Sequence, residues 1–174
     1  TVDFFNFSNT SGDYINEWEW NFGDGSPAVT LTFPSTGNSS HIFAASGNFN
    51  VSLTVTTNAG CIQSLTQTVT IAPNPLSNSS WLTTCQGSPV QFNSEAQPGV
   101  GSVTAWNWNF ADPGSGAGNI SLVEDPTHTF NAAGTYNVQL IVTNTAGCSD
   151  TIAKPVIINP LPAVDFTFSI GCAE

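Results

Sequence analysis

Apolar residues along this chain recur with a period of two. Phe49, Val51, Leu53 and Val55 alternate with Asn50, Ser52 and Thr54, and Tyr136, Val138, Leu140 and Val142 do the same further on. Successive side chains of a strand point to opposite faces, so each stripe predicts a β-strand with one buried face. Trp18, Trp20 and Phe22 form a second stripe, matched by Trp106, Trp108 and Phe110. Three large aromatics on one face predict core rather than a sugar-stacking platform. Leu65, Val69 and Ile71 follow an Asn58-Ala59-Gly60 turn, which predicts a hairpin. No stretch carries apolar residues at helical spacing, so the expected architecture is all-β, with short strands separated by turns and packed as a sandwich.

The stripes belong to a repeat. A common step of 87 residues takes Gly47 to Gly134, Ala59-Gly60-Cys61 to Ala146-Gly147-Cys148, Pro73 to Pro160 and Cys85 to Cys172. Two tandem immunoglobulin-like β-sandwiches are therefore expected: residues 1–75 as a module lacking its opening residues, residues 76–162 as a complete one, and residues 163–174 as the start of a third. Pro73-Asn74-Pro75 and Pro160-Leu161-Pro162 mark stiff module junctions, because proline fixes φ and donates no hydrogen bond.

Trp20-Asn21-Phe22-Gly23-Asp24-Gly25-Ser26, then His41-Ile42-Phe43 and Gly47-Asn48-Phe49-Asn50-Val51, resemble the PKD domain. The resemblance extends to the second unit through Trp108, Phe110, Asp112 and His128. There Phe110-Ala111-Asp112-Pro113 departs from the Phe-Gly-Asp-Gly pattern, and the Gly-rich segment 114–118 follows. The Ala-Gly-Cys turns and Pro-x-Pro junctions further resemble the arrays in large surface adhesins of gliding bacteria. The resemblance implies non-catalytic extracellular modules, acting as spacer or adhesion segments of a cell-surface protein. The alternative is a polysaccharide- or protein-binding accessory domain of a secreted hydrolase or protease.

Composition narrows the partners. The 174 residues carry one Lys and no Arg against 12 acidic residues, a net charge of −11. Nucleic acid and anionic membrane surfaces are excluded, since both need several cations to replace counterions. No apolar run approaches the roughly 18–20 residues of a membrane span. The expected partners are neighbouring modules of the same chain, a polysaccharide or a cell-surface protein, and the fragment itself is expected to be monomeric.

No cofactor is implied, and calcium is the one ion the carboxylates suggest. Asp24 and Asp112 are candidates, with Glu124 and Asp125 and with Asp3 or Asp165 at a junction. An Asp in a Gly-bearing turn more often accepts backbone N–H bonds, so the turn reading is preferred. His41 and His128 occur once per repeat without a metal-spaced partner and are expected as buried, hydrogen-bonded imidazoles rather than catalysts. Trp81 lies outside the repeated motif and is the expected exposed, ligand-contacting or junction-packing aromatic. Four Cys suggest an oxidising compartment. In an immunoglobulin-type sandwich the first strand starts at the pole carrying the last hairpin, so a Cys85–Cys148 disulfide is expected, with Cys61–Cys85 as its rival.

Overall fold

The computed structural model describes residues 1–168. The chain forms two compact units, Thr1–Pro73 and Asn74–Glu174, so the boundary falls inside the first proline-bearing junction. Cys172 lies outside the described residues.

The first unit contains β1 (Val2–Phe4), β2 (Ile15–Asn21), β3 (Val29–Thr32), β4 (Ser39–His41), β5 (Gly47–Thr57) and β6 (Ile62–Ile71). An antiparallel sheet in the order β3-β2-β5-β6 packs on the two-stranded β1-β4 sheet. The second unit contains β7 (Ser79–Trp81), β8 (Thr84–Cys85), β9 (Pro89–Ser94), β10 (Val103–Asn109), β11 (Ile120–Ser121), β12 (Thr127–Thr129), β13 (Gly134–Asn144) and β14 (Ser149–Asn159). Its sheets run β11-β10-β13-β14-β8 and β12-β9-β7. All pairs are antiparallel except β8 with β14, where Thr84 and Cys85 lie parallel to Ile158 and Asn159. This is the immunoglobulin-like sandwich that the alternation predicts. The helical content among the described residues is a 3-10 segment, Pro113–Asn119, in the Gly-rich insertion.

The alternating residues supply the cores. Phe92, Trp108, Phe110, Phe130, Leu140 and Val156 are almost completely buried in the second unit, and Trp20, Phe22 and Val51 in the first. The β5/β6 and β13/β14 hairpins turn alike: the Gly60 amide donates to the Thr57 carbonyl and the Gly147 amide to the Asn144 carbonyl, both at 2.9 Å.

The units differ at one edge. Strand β9 pairs with β12 on one side and with β7 on the other, placing Trp81 opposite Phe92. Its counterpart β1 pairs with β4 alone and ends at Phe4. Among the described residues no strand occupies the position of β7 in the first unit, and an open groove of about 540 Å³ lies between Phe4 of β1 and Trp20, Leu53, Leu65, Gln67 and Val69 of the larger sheet.

Candidate functional site: the aspartate–histidine clasp

In each unit the strand carrying the tryptophans ends in a tight turn. The Asn21 side chain accepts the Gly23 amide at 2.9 Å, and Asn109 accepts the Ala111 amide at 2.9 Å. In both turns the residue two positions on, whose amide the Asx side chain holds, is left-handed. Gly23 takes φ 72°, and a side chain there would also run into the Asn50 carbonyl. Ala111 holds the same region at φ 55° with a Cβ, a locally strained solution.

The turn aims Asp24 at His41. Asp24 Oδ2 lies 2.6 Å from His41 Nε2, while Asp24 Oδ1 accepts the Ser26 hydroxyl at 2.6 Å and the Ser26 amide at 3.0 Å. The Ser26 hydroxyl, then His41, then the Ser26 amide hold the Asp24 carboxyl well below the usual carboxylate range. The imidazole stacks on Phe22, with centroids 4.0 Å apart and planes 3° from parallel, and meets Phe43 edge-on. The second unit repeats the clasp. His128 Nε2 lies 3.1 Å from Asp112 Oδ2, and the ring stacks on Phe110 at 4.2 Å and meets Phe130 edge-on. In place of Ser26, Ser115 turns to the Asp112 carbonyl, which accepts its hydroxyl at 2.7 Å and its amide at 3.0 Å. The Asn119 side chain accepts the Asp112 amide at 2.7 Å.

The clasp therefore joins residues that the sequence marks separately. In the structure Asp24 accepts the amide of its own turn, His128 is buried and His41 partly buried, and each histidine has an aspartate partner that the sequence alone does not pair with it. The available signal was the joint recurrence of both residue types in both repeats. Chemically, the arrangement can orient an imidazole; in the first unit the serine hydroxyl that joins it, Ser26, donates to the aspartate rather than to the histidine, so the order of a Ser-His-Asp triad is not reproduced there.

The calcium candidates do not converge. Asp125 accepts the Ser94 amide at 2.7 Å, and the Glu124 carbonyl, rather than its carboxylate, accepts the Trp108 indole at 3.2 Å. Asp24 and Asp112 are engaged by their histidines. Among the described residues no group of three or more metal-capable side chains comes together.

Trp81 is half-buried. It packs on Phe92 at 5.8 Å, with Lys154 Nζ 6.0 Å from its ring. Lys154 donates to Asn78 Oδ1 at 2.6 Å and to the Ser79 carbonyl at 2.7 Å, so the sole cation of the chain fastens β7 to β14.

The expected Cys85–Cys148 disulfide is corrected by the topology. Cys61, Cys85 and Cys148 are all free thiols. The chain does enter the second unit at the Cys148 pole, since the Ser77 amide donates to Asp150 at 2.8 Å. Cys85, however, lies at the far end of that first segment, after the chain has changed sheets to pair beside Asn159. It is the length of β14 away, roughly 35 Å at ~3.3 Å per residue, against a Cα separation limit of about 7 Å for a disulfide.

The PKD domain family matches residues 1–73 and again 76–158. The chain belongs to the PKD domain family. PKD domains are non-catalytic, extracellular repeat modules, and among the described residues no helix is long and apolar enough to cross a membrane. Solved structures similar to this chain include the PKD1 domain of Vibrio anguillarum Epp, at 21% identity and TM-score 0.45, covering 52% of this chain and 99% of that one. The PKD1 domain from the Vibrio cholerae metalloprotease PrtV has 24% identity and TM-score 0.43, covering 50% and 99%. Fibronectin(III)-like modules of Clostridium thermocellum CbhA have 10% identity and TM-score 0.41, covering 92% and 88%.

Proposed function

We propose that the two PKD modules are spacer or adhesion segments of a large cell-surface adhesin, of the kind gliding bacteria display, and carry no chemistry of their own. The observation behind this reading is the duplicated clasp. The residues most able to do acid–base work, Asp24 with His41 and Asp112 with His128, are paired to each other and stacked under a core phenylalanine in both modules. A group so used orders a turn, and its repetition serves a module that is copied rather than a site that is unique.

A second reading, recognition of a polysaccharide or surface protein, is favoured by the insertion of the second module. Pro113–Asn119 has no equivalent in the Gly23-Asp24-Gly25 turn, and Ile120, Leu122 and Val123 beside it are 56–70% exposed. Loops on a rigid sandwich are where recognition is carried. The deciding experiment is binding of the folded chain to an array of polysaccharides and cell-surface preparations, in calcium and in chelator. Silence in both supports the spacer. A reproducible ligand lost when residues 113–119 are shortened to a Gly-Asp-Gly turn makes the second module adhesive. A catalytic domain elsewhere in the parent chain would instead make these modules accessory domains of a secreted hydrolase or protease.

A further inference from the structure

Lysine 154 stands where the sandwich calls for an apolar side chain. Ile152, Lys154, Val156 and Ile158 alternate along one face of β14, and Lys154 lies opposite Val138, a buried core residue. Among the described residues no carboxylate lies within ion-pair distance of its amine. Its partners are two carbonyl oxygens, Asn78 Oδ1 at 2.6 Å and the Ser79 main chain at 2.7 Å. The repeat places Gln67 at the equivalent position of the first unit, so an amine on this face belongs to the second unit alone.

The Asn78 carboxamide is held at both ends. Lys154 takes its oxygen, and Glu95 Oε2 accepts its Nδ2 amide at 2.8 Å. The backbone fixes the same pair: the Glu95 amide donates to the Asn78 carbonyl at 2.9 Å, and Leu76 and Gln97 exchange both of their bonds just beyond. The Trp81 ring stands 6.0 Å from Nζ. The amide carbon Cγ lies at most one C=O bond beyond Oδ1, so Nζ is within about 3.8 Å of it. That is a few tenths of an ångström outside the roughly 3–3.5 Å from which positioned groups react.

We propose that Lys154 and Asn78 join in an isopeptide bond, with Glu95 moving the proton. Nζ, as the free amine, attacks Cγ; the Nζ–Cγ bond forms and the Cγ–Nδ2 bond breaks. The Glu95 carboxylate takes the proton that Nζ sheds and hands it to Nδ2, which leaves as ammonia and picks up in solvent the proton that the lysine ammonium released. An ammonium and a primary amide thus become a secondary amide and ammonium ion, and no oxidant, reductant or cofactor is consumed. Unassisted aminolysis of an amide is negligibly slow in water. Fixed positioning supplies effective concentrations of about 10⁵–10⁸ M, and a placed acid–base group a further ~10²–10⁴-fold. Escape of ammonia into solvent carries the reaction forward. The bond would tie β14, in the five-stranded sheet, to the residue that leads into β7 of the three-stranded sheet, two positions 76 apart in the chain.

Intact-mass spectrometry of the whole chain under reducing conditions tests this. The folded chain, kept at neutral to mildly alkaline pH, should lose one ammonia, about 17 Da, and the chain in denaturant should not. A protease that cuts after glutamate puts Asn78 and Lys154 in separate fragments, 20–95 and 125–174. These should stay joined in the parent chain. Lys154→Arg keeps the charge and the donors without a nucleophilic amine, and its fragments should separate. Glu95 is exposed, so Glu95→Gln should fold like the parent yet form the bond about a hundredfold more slowly. Fragments of the folded parent that separate completely overturn the proposal, even with an ammonia lost, since an asparagine closing on its own backbone loses the same mass. A Glu95→Gln chain that links as fast as the parent overturns it as well.

Discussion

Leu53 and Leu140 occupy equivalent positions of the repeat, yet truncating them should cost very different amounts. Each lies between a tryptophan and a second aliphatic residue on the neighbouring strands: Trp20 and Leu65 flank Leu53, and Trp108 and Ile152 flank Leu140. Leu140 is 1% exposed inside a closed core. Leu140→Ala removes three carbons worth ~0.8 kcal/mol each in transfer and leaves a sealed void, about 3–4 kcal/mol in all. Leu53 is half-buried and lines a groove already open to water. Its truncation leaves no new sealed void and forfeits only part of the transfer energy, about 1–1.5 kcal/mol. The difference of about 2 kcal/mol is roughly a thirtyfold change in the opening equilibrium. Amide hydrogen exchange on the whole chain, read by mass spectrometry on peptides from β5 and β13, reports the two costs separately. Equal losses, within about 0.5 kcal/mol of each other, would refute the claim that the first core is open at the groove beside Phe4.

Other outcomes follow from the clasp, the turn, the thiols and the lysine. Asp24 and Asp150 both have carboxyls held below the usual range, Asp150 chiefly by the Ser77 amide. Their stabilisation is full above the unfolded carboxylate value of about 3.9 and is lost as pH falls below it, because the unfolded chain takes up the proton first. Acid titration of Asp24→Asn should accordingly show a shallower loss of first-unit stability below that pH, and an unchanged slope would sink the assignment. Ala111→Gly relieves a left-handed alanine and should raise second-unit stability by about 0.5–1 kcal/mol, seen as a higher melting temperature. Cys85→Ser with Cys148→Ser should change the unfolding free energy by less than about 0.5 kcal/mol, and both native thiols should react with a thiol reagent without prior reduction. Lys154→Met should loosen β7, costing about 1–2 kcal/mol and speeding exchange at Ser79–Trp81 while leaving β13 protected.

Much of the sandwich was legible because strand burial is written in alternation. Phe49 to Val55 and Tyr136 to Val142 each announce a central strand, and the repeated Ala-Gly-Cys announces the hairpin that follows. What escaped is contact that no local pattern encodes. Asp24 and His41 meet across two sheets, a matter of how the turn is aimed rather than of spacing. Strand β8 is two residues long, too short to show a period, yet it carries the chain from one sheet to the other and so decides which pole holds Cys85. The disulfide expectation placed the entry pole correctly and failed on that one crossing. Trp81 read as an outlier because its repeat partner is Phe168 rather than another tryptophan.

The parallel pairing of β8 with β14 also sets how the second unit meets a pull. Tension applied between the entry of the chain near Ser77 and its exit after Asn159 would slide β8 along β14, loading the Gln86 amide to Asn159 carbonyl bond and its neighbours together instead of peeling them one at a time. Bonds loaded side by side fail at a higher force than bonds loaded in series. The latch therefore makes the second unit resist extension along its own length until those bonds part together.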